Sequence, residues 1–392
     1  MKKLLLLILL TLFGTFFPVF AEEIHNINDD INIAFTIDNN YPIYTMLVME
    51  SILNHNTSNS HYRFHVVEDN LTGFSKFIMK RFAEYKGADI AFYRISTESF
   101  DEGRNFYTYV DRITPIGMAR ILLPSVLPKE LKRVLYLDSD ILVTTDLKPL
   151  YNTNLGRYST GMIVNIQHVT YDNFNFGKYY FNSGVILMDL DKWRKQNIEG
   201  QLTGYIKNNW QKFIYVDLEK ERAIEKAKEK EALKEEAMKN ANMRDMVDTM
   251  INQVLYKKKL EEKTGQDVLD DEDEDPLFIK NDKFMYPDQD LINVVLNKRI
   301  KPLDKKWNMQ YFALGSIVDE NFKGIIHYIG AGKPWLFTPD TMPSYKIYHE
   351  NWDNSLLVIF KPICWYKLKI EDKRYLLKEL KTLYFGKKPG EF

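Results

Sequence analysis

Apolar positions along this chain gather in short runs rich in β-branched and aromatic residues, separated by polar stretches with helical spacing. Runs of this kind read as buried strands. They lie near residues 31–37, 62–67, 88–94, 133–137, 160–165, 182–189 and 325–328. A helix is expected from about Tyr41 to Asn54, directly after the first strand. Strands alternating with helices predict a layered α/β domain. Three strands end in polar clusters: Ile31–Ile37 in Asp38-Asn39-Asn40-Tyr41-Pro42, Val134–Leu137 in Asp138-Ser139-Asp140, and Ile325-Ile326 in His327. In open α/β sheets, ligands sit beyond the carboxyl ends of strands.

Three further segments have a different pattern. Lys2-Lys3, the apolar stretch Leu4–Phe20 and Val19-Phe20-Ala21 before Glu22-Glu23 form a secretory signal, with cleavage expected after Ala21. Left uncleaved, the stretch is borderline for a spanning helix of about 17–25 residues. The lysines would then keep the amino end cytoplasmic and place the rest outside. Residues 217–282 are rich in Lys, Glu and Ala. There Met243, Met246, Val247, Met250 and Val254 recur at helical spacing, Gly265 ends the pattern, and an acidic run follows from Asp270 to Asp275. A passive helical insertion is the simplest reading; a lid or a docking face on the acceptor side is the alternative. Residues 346–392 mix aromatics with lysines, as in Trp365-Tyr366-Lys367. This suits either an interfacial helix touching a membrane or a terminal helix packed on the domain.

Composition narrows the class. The 392 residues include 24 Tyr and 24 Phe, ample for a large core. A net charge of −1 gives no reason to expect a nucleic-acid partner. Cys364 is the only cysteine, which excludes an intrachain disulfide and a cysteine-rich metal site.

The polar clusters carry the candidate chemistry. Asp138 and Asp140 can converge on one hard cation, Mg²⁺ or Mn²⁺, if the chain leaves strand geometry there; an acidic turn is the alternative. Asp38 and Asn40 can bond a base or ribose, or cap the helix. His327 can ligate a transition metal, and Lys333, after Gly330 and Gly332, suits a phosphate.

Taken together, the pieces resemble glycosyltransferase family 8, the group of lipopolysaccharide galactosyl- and glucosyltransferases and glycogenin. The matching segments are Ile33–Tyr41, Arg63–Val67, Arg133–Val143, Leu147–Leu150, Tyr180–Leu190 with Lys192-Trp193-Arg194, Tyr286–Asn293, and His327–Trp335, in the family's order. The resemblance implies a Rossmann-like glycosyltransferase A-type fold with a mixed central sheet. The catalytic domain would comprise residues 22–216 and 283–345. By the same resemblance Asp138, Asp140 and His327 would ligate Mn²⁺ (or Mg²⁺). Thr36, Asp38, Asn40 and Tyr41 would hold the base and ribose, and Gly330 and Lys333 the diphosphate. Arg120 would reach the donor and, with Lys333 and the metal, stabilise the leaving group, while Asn182, Asp288 and Gln289 would surround the transferred sugar, with Asp288 and Asp290 both open as direct participants. Asn165 departs from an aspartate in some relatives.

The implied reaction is metal-dependent, retaining transfer of a hexose from a nucleotide sugar, UDP-galactose or UDP-glucose, to a saccharide or glycolipid such as a lipopolysaccharide or cell-surface glycan. An amide at Gln289 is a poor nucleophile, which favours front-face retention over the carboxylate-pair route of glycosidases. Two other classes stay open: a non-catalytic sugar-nucleotide-binding descendant, and a haloacid-dehalogenase-like phosphatase with Asp138 as nucleophile. The signal at the amino end implies export, at odds with a cytoplasmic supply of nucleotide sugars.

Overall fold

The structure is a computed structural model describing residues 26–95, 115–165, 179–213, 284, 286–311, 321–330, 333–336 and 343–361. The expected signal segment (1–21), the insertion (217–282) and the tail beyond residue 361 lie outside the described residues.

Seven strands form the main sheet: β1 (Ile31–Asp38), β2 (Tyr62–Asp69), β3 (Asp89–Arg94), β4 (Arg133–Leu137), β6 (Thr160–Val164), β7 (Phe181–Asp189) and β8 (Ile300–Pro302), in the order β3-β2-β1-β4-β7-β6-β8. β1–β4 pair in parallel, as do β6 and β8, while β7 runs antiparallel to both its neighbours. The sheet is therefore mixed, as expected. Period-two alternation sends side chains to opposite faces. Ile33, Phe35, Leu135 and Leu137 enter one core, and Ala34, Val134 and Tyr136 the other. Both faces are covered, so these strands read as continuous apolar runs.

Helices α1 (Pro42–Asn54) and α2 (Gly73–Tyr85) join β1 to β2 and β2 to β3. α1 begins with proline, whose missing N–H costs nothing there. Short helices α3 (Leu123–Val126), α4 (Lys148–Tyr151) and α5 (Leu190–Lys195) precede α6 (Ile198–Asn208) and α7 (Pro287–Leu296). α8 (Pro343–Asp353) buries Tyr345, Tyr348 and Trp352 in the same core as α1, so the boundary drawn at residue 345 falls inside a helix. Among the described residues no helix is long and apolar enough to cross a membrane.

A second sheet positions the site. β5 (Ile141–Val143), β10 (Ile325–Tyr328) and β9 (Met309–Tyr311) form it in the order β5-β10-β9. The chain leaves the main sheet after Leu137 and enters this one at Ile141, so Asp138-Ser139-Asp140 is the crossing between sheets. β10 pairs antiparallel with β5, setting His327 opposite Ile141. The Tyr328 N–H also donates to the Asp140 carbonyl at 2.9 Å.

Candidate functional site

Asp138, Asp140 and His327 converge, each placing a ligand atom within 4.8 Å of the others'. His327 Nε2 lies 3.2 Å from Asp140 Oδ1 and 3.8 Å from Asp138 Oδ2. The other oxygen of each carboxylate is already held. Asp138 Oδ1 accepts from the Tyr136 hydroxyl at 2.6 Å and faces Arg120 Nη2 at 3.1 Å. Asp140 Oδ2 is paired with the Lys333 ammonium, which also donates to the Tyr328 carbonyl at 2.7 Å.

Asp140 Oδ1 is buried yet accepts no hydrogen bond from any described residue. Such an orphaned oxygen is costly unless a cation meets it. Two carboxylate oxygens and an imidazole nitrogen form a donor set that fits Mn²⁺ or Mg²⁺, with positions left over for other ligands. Gly184 keeps the space clear: a Cβ there would stand 2.2 Å from His327 Cε1 and 2.9 Å from Asp138 Oδ2.

Charge is balanced tightly around these groups. Burial pushes the Asp138 carboxyl above its usual range, although Arg120 pulls the other way. Burial also raises Asp140, but Lys333 and His327 together outweigh it and hold that carboxyl well below the usual range. Burial disfavours the Arg120 guanidinium charge, and Asp138 and Asp288 more than compensate, so it stays protonated. Arg120 reaches Asp288 Oδ2 at 3.3 Å, the Ser183 carbonyl at 2.8 Å, and lies over the Tyr136 ring at 4.6 Å.

The remaining expected residues form two groups. At the end of β1, Thr36 Oγ1 is 3.1 Å from the Tyr136 hydroxyl. Asp38 Oδ1 accepts from the Asn40 N–H at 2.8 Å, an Asx turn. Neither Asp38 nor Asn40 caps α1, whose N-cap is Tyr41, without a side-chain bond. The Tyr41 ring stands edge-on to Trp335, and Tyr44 stacks on the same indole at 4.0 Å. Gly330 has φ +75°, a conformation that favours glycine. Ala331 and Gly332, between it and Lys333, lie outside the described residues.

The second group surrounds a bulge in β7, where the register with β6 shifts between Met162 and Ile163. Bulges commonly re-aim side chains beside active sites. Gln289 Oε1 accepts from Asn182 Nδ2 and from the Ser183 N–H, each at 3.0 Å. Its Nε2 donates to the Tyr180 hydroxyl at 2.8 Å. Asp288 Oδ2 accepts from Ser183 Oγ at 2.8 Å. Asp290 is fully buried, accepting from the Tyr286 N–H at 2.8 Å and from the Tyr180 hydroxyl. Asp288 therefore faces Arg120, whereas Asp290 serves the start of α7. Asn165 follows β6, its N–H donating to the Tyr180 carbonyl at 2.8 Å.

Sequence reasoning missed Tyr136, Ser183, Gly184, Tyr180 and Asn308. Tyr136 was legible, because a spacing of two along β4 puts it on the same side as Asp138. Asn308 has no local signal: it meets His327 only through the β9–β10 pairing.

A family model described as "Glycosyl transferase family 8" matches residues 32–221 and 272–338, more than half of the chain. The chain belongs to glycosyl transferase family 8. This family 8 chain is 27% identical over 213 residues to "Probable galacturonosyltransferase-like 4" of Arabidopsis thaliana, covering 48% of this chain and 57% of that protein. It is 25% identical over 181 residues to General stress protein A of Bacillus subtilis (strain 168), covering 45% and 62%. The chain thus spans 57% and 62% of the lengths of these two curated relatives. A crystal structure of the galactosyltransferase LgtC with donor and acceptor sugar analogs matches with a TM-score of 0.56 at 19% identity, over 83% of this chain and 96% of that one. The bifunctional glycosyltransferase WbbM matches with a TM-score of 0.55 at 16% identity, over 91% and 53%. At these identities the likeness to both structures is one of fold: the α/β, mixed-sheet architecture of family 8.

Proposed function

We propose that this protein transfers a hexose from a UDP-sugar, with retention of anomeric configuration, to a saccharide or glycolipid. The observation that carries the reading is the half-cage of Asp138 Oδ2, Asp140 Oδ1 and His327 Nε2 beside two cationic side chains, Arg120 and Lys333. A divalent cation held by those three atoms would neutralise diphosphate oxygens and stabilise the charge that develops on the leaving group.

The chain's own residues do the rest. Tyr136 and Arg120 hold Asp138 by one oxygen and leave the other directed at His327. Lys333 is close enough to the site to exchange Asp140 for a phosphate oxygen as the diphosphate arrives. Tyr41, backed edge-on by the buried Trp335, offers an aromatic surface for a base, with Asp38 and Asn40 at its exposed edge. Gln289 is unsuited to nucleophilic attack: its carbonyl oxygen already accepts two hydrogen bonds. Asp288 is engaged by Arg120 and Ser183. These constraints support front-face transfer, in which the acceptor approaches on the side the diphosphate leaves.

Both the galactosyltransferase LgtC and the galacturonosyltransferase-like relative are named for transfer of galactose-configured sugars. UDP-galactose and UDP-galacturonate are therefore the first donors to test, with UDP-glucose alongside for comparison. The test follows UDP release and the anomeric configuration of the product with Mn²⁺ present. UDP release from one of these donors, stopped by chelation and giving retained configuration, supports the proposal. Release unaffected by chelation, or an inverted product, refutes it.

A further inference from the structure

We infer that Asn308 is a positioning residue that fixes the tautomer of His327, leaving Nε2 unprotonated and turned toward Asp138 and Asp140. The inference rests on the metal-site reading above, but its argument comes from hydrogen-bond polarity alone.

Two backbone amides set that polarity, because an N–H can only donate. The Ser183 N–H lies 3.0 Å from one end of the Gln289 amide, which must be Oε1. The Gly184 N–H lies 3.0 Å from one end of the Asn182 amide, which must be Oδ1. Asn182 Nδ2 is then free to donate to Gln289 Oε1, as it does at 3.0 Å. Asn308 also meets Asn182 Oδ1, at 2.8 Å, and an oxygen there would face another oxygen. The atom is therefore Nδ2. The Asn308 carbonyl oxygen is left 2.9 Å from His327 Nδ1 and can only accept, so Nδ1 carries the hydrogen. A neutral imidazole then has its lone pair on Nε2, the atom 3.2 Å and 3.8 Å from the two carboxylates.

Every link is buried: Asn182 is 7% exposed, Gln289 6%, Asn308 1% and His327 3%, so water does not compete for these bonds. Backbone pairing delivers Asn308 to its place. It ends the short 3₁₀ helix Lys305–Asn308, immediately before β9, and β9 pairs in parallel with β10. The network thereby joins His327 to Asn182 and Gln289, so the imidazole orientation and the amides around the bulge are set together. A second partner that fixes a histidine ligand's tautomer also raises its basicity, and losing one costs metal affinity.

The test reads the tautomer directly. Nitrogen-15 spectra of the full chain with UDP and the diamagnetic ion Mg²⁺ report which imidazole nitrogen is protonated, and subtraction of the His327→Gln spectrum assigns the signal. The wild type should show the Nδ1–H form. Asn308→Leu should lose it and weaken Mn²⁺ binding, measured calorimetrically with UDP present, by about 10–100-fold. Asn308→Asp, which keeps an acceptor at Nδ1 but sets an oxygen against Asn182 Oδ1, should retain the Nδ1–H form while lowering the melting temperature. A residue that only filled space would lower the melting temperature of both variants and leave the tautomer alone; that result overturns the inference, as does an Nε2–H wild type. A wild type in the Nδ1–H form that binds no Mn²⁺ supports the tautomer assignment and overturns the metal-site reading instead.

Discussion

Replacing Gly184 with alanine should damage the candidate metal site far more than the fold. The new Cβ would stand 2.2 Å from His327 Cε1, 2.8 Å from Nδ1 and 2.9 Å from Asp138 Oδ2, whereas ordinary contact begins at 3.4 Å. Restoring that contact moves the imidazole by ~1.2 Å if the strand stays in place. Neither neighbour has slack: His327 is held by Asn308, and Asp138 by Tyr136 and Arg120. Overpacking of this kind costs about 1–3 kcal/mol, which a domain with this core can absorb. Metal sites, by contrast, tolerate ligand displacements of only about 0.2 Å. Calorimetry should therefore show Mn²⁺-dependent UDP binding weakened by at least about tenfold, while denaturant unfolding shows a cooperative protein. Gly161→Ala is the matched control. It crowds only the flexible ends of Leu155 and Leu303, at 2.8–3.2 Å, and should lower stability without touching affinity. Wild-type Mn²⁺ and UDP affinity in Gly184→Ala would refute the geometry from which this reasoning starts.

The metal ligands themselves give a simpler expectation. Asp140→Asn and His327→Ala should each abolish Mn²⁺-dependent UDP binding while the far-ultraviolet circular dichroism stays native; metal-dependent binding retained in both would contradict the assignment. Lys333→Met should show opposite signs in two titrations. Freed from the ammonium, Asp140 should bind Mn²⁺ alone more tightly, whereas UDP should bind more weakly for want of a phosphate partner; weakening in both would contradict the exchange. His65 gives a prediction about stability. It is buried between Asn32 and the Tyr93 hydroxyl, and burial, aided by Arg63, lowers its pKa from 6.5 to about 3. The unfolded chain therefore binds the extra proton between pH 6.5 and about 3. His65 thus contributes stability that is fully present above pH 6.5 and lost as pH falls through that window. In denaturant unfolding, His65→Gln should flatten the pH slope by up to about 1.4 kcal/mol per pH unit; an unchanged slope would contradict the buried neutral ring.

The strands legible in the sequence were those of four residues or more, β3 included although it is only partly buried. β1, β4 and β7 are long apolar runs, and burial on two sides leaves them little freedom to be anything else. β5, β8 and β9 have three residues each, too few for a periodic pattern, so of the second sheet only β10, the strand carrying His327, was read. The site divides in the same way. Asp138, Asp140 and His327 end apolar runs and stand out, and Tyr136 shares their local spacing. Asn308, Ser183 and Gly184 act through non-local pairing and a bulge, features that depend on which strands meet and not on any local pattern. The N-cap reading of Asp38 failed for a related reason: its carboxylate had a nearer donor in the Asn40 N–H.

Calorimetric titration of UDP into the full chain, with and without Mn²⁺, tests the donor-site assignment most directly. Asp138, Asp140 and His327 supply only three ligand atoms, so the nucleotide diphosphate should complete the coordination. Tight UDP binding that appears only with Mn²⁺, and disappears on chelation, is the expected result. Equal UDP affinity with and without the metal, or no binding in either condition, would contradict it.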